Sequence, residues 1–197
     1  WMAMAVAECF RDQGRHVLLI TDSITRFAEA HREVALSAGE TPSLRAFPPS
    51  TANLIAHLAE RAGPGPAGAG DITAIFSVLV AGSDMEEPVA DITRGVLDGH
   101  IVLDREIAER GRFPAVDVRR SVSRALPAIA SKAENEVLAR ARRMTATYEN
   151  AAPMIQAGLY SVGADPAVDE AIRFYPKLDE FFTMQATEGV AISYLEL

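Results

Sequence analysis

Apolar positions switch period several times along this chain. Ala3, Val6, Ala7 and Phe10 recur at i, i+3, i+4 and i+7, which predicts an amphipathic opening helix with Gly14 as its stop. An unbroken run, Val17-Leu18-Leu19-Ile20, then breaks at Thr21-Asp22 and gives way to a second helical pattern of Ile24, Phe27, Ala28, His31 and Ala35. A run this short, with no polar alternation, predicts a strand buried on both faces, as parallel α/β sheets require. A loop with Pro42, Pro48 and Pro49 leads to a helix burying Leu54, Ile55 and Leu58. Residues 63–70, GPGPAGAG, read as an exposed flexible loop. Ile72 to Val80 predict the next buried strand, ended by the acidic turn Asp84-Met85-Glu86-Glu87-Pro88. Further strands are expected at His100–Leu103 and Ala115–Val118, around a helix near Arg105–Glu109. Beyond Arg124 only helical periods remain: Val137, Ala141, Met144 and Tyr148 form one stripe, and Asp165-Pro166 opens a helix carrying Val168, Ala171 and Ile172. The order predicts an α/β class, a doubly wound nucleotide-binding core followed by a helical tail.

Chemistry concentrates at the first strand's end. Ligands of such sheets sit at the carboxyl ends of strands, and a carboxylate there, Asp22, is placed to hold the Mg²⁺ of a bound nucleotide, usually through water. This is the Walker B arrangement. The same residues also fit a plain helix cap by Asp22 or Ser23. The usual partner, a G-x-x-x-x-G-K-[ST] phosphate loop, occurs nowhere in the chain, and the glycine-rich segment 63–70 lacks its Lys-Ser/Thr ending. Either the strand and Asp22 are coincidence, or these residues are the later portion of an ATPase whose phosphate loop lies upstream of Trp1.

Composition narrows the classes. At 197 residues the chain can bury a core as one domain plus a smaller one. Cys9 is the single cysteine, so no intrachain disulfide is expected and a cytoplasmic setting fits. Glu8, Arg11 and Asp12 follow too soon after Trp1 for a signal-peptide apolar region, and no apolar run approaches a spanning helix. The net charge of −8 has the wrong sign for tracking phosphates, so nucleic acid is not the expected partner. The four histidines stand far apart without ligand spacing, and no G-x-S-x-G nucleophile pattern occurs.

Six segments occur in one fixed order: DSITRFAEAHREV at 22–34, PSLRAFPPS at 42–50, LAERAG at 58–63, DITAIFSVLVAGSDMEEPVAD at 71–91, LDGHIVLDREIAERGRFPAVDV at 97–118 and SVSRA at 121–125. In that order the chain resembles the catalytic subunits of rotary ATPases, most closely the flagellar protein-export ATPases, from its first helix to about Phe182. The resemblance implies a RecA-like P-loop NTPase core over residues 1–125, with the later strands and helices of a mostly parallel sheet, and a small all-helical C-terminal domain over 126–197. It implies an ATP hydrolase that energises flagellar type III export as a homohexamer at the cytoplasmic face of the export apparatus, with ATP at the subunit boundary. Asp22 then takes the Mg²⁺-associated role and Arg124 that of an arginine finger reaching the neighbour's nucleotide. Phe113 and Tyr160 fall at the aromatics that contact adenine, although either ring would serve equally as core. His31 departs from the family, where an amide is usual. The general-base glutamate, like the phosphate loop, falls before Trp1, so the 197 residues alone are expected to be inactive. Implied partners are a stator-like regulator, the export-gate stalk and export chaperones.

Three alternatives share parts of this pattern. The ATPase of a non-flagellar secretion system has overlapping motifs. A noncatalytic ring subunit would bind nucleotide only for structure. The RNA-translocating transcription terminator shares a D-S-I-T-R strand end, but the acidic balance and the helical domain after Arg124 argue against RNA.

Overall fold

A computed structural model describes residues 1–183; residues 184–197, the end of the helical tail expected over 126–197, lie outside the described residues. The chain divides into two compact units, one of Trp1–Leu97 and one from Asp98 on. The boundary expected at residue 125 falls within the second unit.

The first unit opens with α1 (Met2–Asp12). Gly14, at φ +79°, turns the chain out of it: its N–H donates to the Arg11 carbonyl at 2.9 Å and that of Arg15 to the Phe10 carbonyl at 3.2 Å. That pair of bonds satisfies two of the helix's last carbonyls, a Schellman ending. The buried stripe of α1 is not the one expected. Met4 and Ala7 are buried while Val6 and Phe10 face out. Two offset apolar stripes share this short helix, and the inward one is flanked by Glu8, which takes a two-pronged hydrogen bond from Arg61 at 2.6 and 2.8 Å. The Arg61 guanidinium holds the Glu8 carboxyl below its ordinary range.

Strand β1 (Val17–Thr21) leads into α2 (Ile24–Ser37), and α3 (Ser50–Ala59) follows. β1 pairs in parallel with β3 (Asp71–Phe76), Val17 opposite Ile72 through Thr21 opposite Phe76, and the short β2 (Gly63–Pro64) adds antiparallel to the start of β3. With α4 (Pro88–Val96), these elements enclose a core of Met4, Ala7, Ile24, Ala28, Ile55, Leu58, Ile72 and Val89. Each Ile, Leu or Met fully buried there contributes about 1.5–3 kcal/mol. The helical pattern read for α2 holds, with Ile24, Ala28 and Ala35 buried.

Three expectations change here. β1 is not covered on both faces: Leu18 and Ile20 remain 60% and 67% exposed, because among the described residues the helices pack on one side of the strand pair only. The glycine-rich segment is not a loose loop. A Cβ on Gly70 would stand 1.9 Å from the Arg15 carbonyl oxygen, and the Gly70 N–H bonds the Arg11 carbonyl at 2.8 Å, so glycine serves close backbone approach. The strand expected to run to Val80 stops at Phe76, where the backbone turns to other partners.

In the second unit β4 (Gly99–Leu103) and β5 (Val116–Ser123) pair antiparallel with each other, with α5 (Arg105–Glu109) between them. Asp104 caps α5 through the Glu106 amide at 2.8 Å. α6 (Lys132–Gln156) begins in a capping box of Ser131 and Glu134, and α7 (Pro166–Phe182) begins on the Asp165 cap read from the sequence. The two helices bury Met144, Ala151, Ala171 and Leu178, and Tyr148 stacks on Tyr175 with ring centroids 3.7 Å apart. No helix among the described residues is long and apolar enough to cross a membrane.

Candidate functional site

At the carboxyl end of β1, Asp22 is exposed and Ser23 buried. Ser23 is the N-cap of α2, its hydroxyl accepting from the Arg26 amide at 3.3 Å. The capping role therefore falls to Ser23 and leaves the Asp22 carboxylate for other work. One oxygen of Asp22 accepts from the Ser77 hydroxyl at 2.6 Å. The backbone around the pair is stitched: Ser77 N–H to the Thr21 carbonyl at 3.0 Å, Ile24 N–H to the Ser77 carbonyl at 2.9 Å, and Leu79 N–H to the Thr25 hydroxyl at 2.8 Å. These bonds replace the sheet ladder after Phe76 and fix where β1 ends. A single strand-end carboxylate with one oxygen engaged fits a Mg²⁺ ion that arrives with a nucleotide and keeps most of its waters. Among the described residues no cluster of three or more His, Cys, Asp or Glu could hold a metal by itself.

Each histidine has another occupation. His31 lies 2.8 Å from the Ser50 hydroxyl, which in turn donates to Glu40 at 2.6 Å. His16 lies 3.2 Å from Asp71, His57 packs beside Trp1, and His100 meets the Arg120 carbonyl oxygen at 2.9 Å.

The other three residues singled out from the sequence lie in the second unit. Arg124 follows β5 directly, and its backbone N–H donates to the Asp98 carbonyl at 2.7 Å, closing the base of the β4–β5 pair. Phe113 is 60% exposed, while its neighbour Arg112 is anchored to the Val116 carbonyl at 3.0 Å and to Asp179 at 3.4 Å. Tyr160, in the α6–α7 connection, donates to Asp169 at 2.9 Å. Lost hydration and that bond to a carboxylate raise its phenol above the ordinary value. Ser77 is a residue that sequence reasoning misses: it lies within the segment 71–91, but nothing in that segment marks its hydroxyl as the partner of Asp22.

Residues 1–123 match the sequence profile of the ATP synthase alpha/beta family, nucleotide-binding domain, and residues 130–193 that of the T3SS EscN ATPase C-terminal domain. The chain belongs to the ATP synthase alpha/beta family, within the branch that carries the type III secretion ATPase C-terminal domain. It is 45% identical to the flagellum-specific ATP synthase of Caulobacter vibrioides, over 98% of this chain and 44% of that protein. It is 44% identical to the SPI-2 type 3 secretion system ATPase of Salmonella typhimurium, over 95% of this chain and 43% of that one. Among solved structures, the assembled ATPase EscN of the enteropathogenic E. coli type III secretion system superposes with a TM-score of 0.89 at 42% identity, over 99% of this chain and 46% of EscN. EscN in complex with its central stalk EscO gives 0.85 at 40% identity, over 99% of this chain and 45% of that one. The chain spans less than half the length of these relatives.

Proposed function

We propose that residues 1–125 are the later part of a nucleotide-binding domain and residues 126–197 a helical C-terminal domain of an ATPase that hydrolyses ATP to energise flagellar type III protein export. The observation that carries this reading is the Asp22 corner: a carboxylate at the end of a parallel strand, relieved of capping by Ser23 and held by Ser77. Mg²⁺ bound with ATP supplies charge compensation on the phosphates. Asp22 would hold that ion through water, Arg124 would answer the charge developing on the phosphoryl group of the adjacent subunit, and Phe113 and Tyr160 would contact the adenine. The 197 residues hold no phosphate loop, so the chain by itself releases no phosphate from ATP above buffer.

The assembled EscN and its complex with the central stalk EscO support an assembly with a stalk as partner; the homohexamer at the cytoplasmic face of an export apparatus, the stator-like regulator and the chaperones are what the family resemblance implies. A second reading, the ATPase of a non-flagellar type III system, is favoured by one observation: the secretion relative is within one percentage point of the flagellar one in identity. Asp22→Asn in the full-length parent tests the shared activity. It keeps the side-chain volume and removes the charge, so turnover drops on the order of 10²–10³-fold while fold and assembly persist. Near-normal turnover with unchanged Mg²⁺ dependence would reduce Asp22 to a surface carboxylate.

A further inference from the structure

β5 reaches Arg124 by an irregular path. Val116 and Asp117 pair with Leu103 and Val102, and Val122 and Ser123 pair with His100 and Gly99. Between these stretches Ile101 alone on β4 stands opposite Val118, Arg119, Arg120 and Ser121. A ladder interrupted in this way leaves amides without strand partners, and their bonds must come from elsewhere.

Two side chains of β5 supply them. One oxygen of the Asp117 carboxylate accepts from the backbone N–H of Arg119 at 2.9 Å and of Arg120 at 3.1 Å. The other accepts from the Arg120 Nε at 2.6 Å. Arg120 also pairs with Asp104, just before α5, and Arg119 pairs with Glu149 of α6 at 2.7 Å. Burial pushes the Asp117 carboxyl up, but its bonds to Arg120 and Arg119 outweigh that and hold it below its ordinary value. Across the ladder, the Ser121 hydroxyl donates to the Asp117 carbonyl at 2.6 Å and accepts from the Val102 N–H at 2.9 Å, standing in for the missing backbone acceptor. At the far end, a Cβ on Gly99 would meet the Val122 carbonyl oxygen at 2.6 Å, so only glycine lets the strands close beneath Arg124.

We propose that Asp117 and Ser121 are positioning residues that aim Arg124: they hold the loop-out of β5 in one shape, and that shape fixes the direction in which the strand delivers the guanidinium. This rests on reading Arg124 as a finger that acts on the neighbouring subunit's nucleotide. Both would act through Arg124 rather than on substrate. Misplacing a reacting or stabilising group by about 1 Å costs on the order of 10²-fold in rate, whereas removing a finger outright costs about 10³–10⁵-fold.

The test uses the full-length ring-forming protein with Asp117→Asn, Ser121→Ala, Ser121→Thr and Arg124→Ala. Asp117→Asn and Ser121→Ala are expected to lower kcat about 10–10²-fold with nucleotide affinity unchanged, while Ser121→Thr, which keeps the hydroxyl, retains most turnover. Each impaired variant is then mixed with a subunit whose phosphate loop is disabled. If the two residues act through Arg124, the impaired subunits recover activity in mixed rings, because their own pockets are intact and the neighbour's finger is correctly aimed. A purely structural defect lowers the variant's own pocket too and does not recover. Should Asp117→Asn fail to fold, Ser121→Ala and its Thr rescue decide the matter. Unchanged kcat in Ser121→Ala, or no recovery where Arg124→Ala does recover, overturns the proposal. If Arg124→Ala itself keeps full turnover, the finger reading falls first, and the inference with it.

Discussion

Asp22 and Arg124 each stand just beyond a strand, but the two strand ends are made in different ways. β1 is regular to its last residue, paired in parallel with β3 over a core that buries Ile24, Ile55 and Ile72, and Asp22 simply follows where the ladder stops. β5 is interrupted midway and held by Asp117, Ser121, Arg120 and Asp104, with Val102 its buried apolar neighbour on β4. One site rests on packing, the other on a polar network at a break in the ladder. Packing is insensitive to any single hydrogen bond but intolerant of lost volume; a charge-assisted network is the reverse, adaptable in volume and dependent on protonation.

The largest effect that would break or sharpen this contrast comes from Arg124 itself. Arg124→Ala in the full-length parent is expected to lower turnover by about 10³–10⁵-fold with ATP binding largely kept, far beyond the effect of a surface ion pair worth about 1 kcal/mol or less. Steady-state turnover beside nucleotide binding measures it, and mixing with a phosphate-loop-disabled subunit should restore part of the activity. Mixed rings confirmed by mass that stay inactive would put Arg124 in its own subunit's pocket or in none, and the proposed pairing of the two strand ends across a subunit boundary would fall.

The next effect is on stability and should fall on one unit alone. Ile55, buried among Met4, Ile24 and Leu58, leaves a cavity when cut to alanine, at a cost of about 2–5 kcal/mol. Hydrogen exchange during urea unfolding should show protection lost first around β1 and β3, with the β4–β5 pair retaining its own. Equal loss in both units would mean that they unfold together and that the difference in construction has no energetic consequence.

The legibility of the two sites from sequence follows the same division. Asp22 could be read because a regular parallel strand announces itself as an apolar run, and its end is where the run stops. The helical stripe of α2 and the Asp165 cap of α7 were readable for the same reason: periodicity and caps are local. What could not be read depended on partners distant in sequence. Nothing in VDVRRSVS says that Ile101 faces four residues, or that Ser121 replaces a ladder acceptor for Val102. The α1 stripe is ambiguous in sequence because Met4 and Val6 are both apolar, and only the position of Arg61, far along the chain, marks which side faces inward. The glycines of 63–70 read as looseness because a close approach to Arg15 leaves no trace in composition. The roles of Arg124, Phe113 and Tyr160 come from resemblance, and the geometry of two exposed side chains and one half-buried phenol does not by itself raise them above their neighbours.

The smallest effect is that of acid, and its sign follows from Asp117. A carboxyl whose folded pKa lies below its unfolded value contributes stability that is fully present above the unfolded value, about 3.9 for aspartate. That stability is lost as pH falls through the lower, folded value. Asp117 is such a group: the charge acting on it is Arg120, itself paired with Asp104 before α5, while Arg119 reaches it through its backbone N–H and turns its guanidinium to Glu149 of α6. Glu8 in the first unit is held down in the same way by Arg61, so acid acts on both units. The consequence should differ. Protonating Glu8 loosens α1 at its rim and leaves the apolar core beneath it, whereas protonating Asp117 releases the amides of Arg119 and Arg120 and frees the loop-out that Ser121 bridges to Val102. Amide exchange, corrected for its intrinsic pH dependence and followed from neutral pH to below the ordinary aspartate range, should therefore show Val102 losing protection before Ile72 does. Equal protection of Val102 at both ends of that range, or earlier loss at Ile72, would mean that the β4–β5 pair is held by something other than the Asp117 carboxylate.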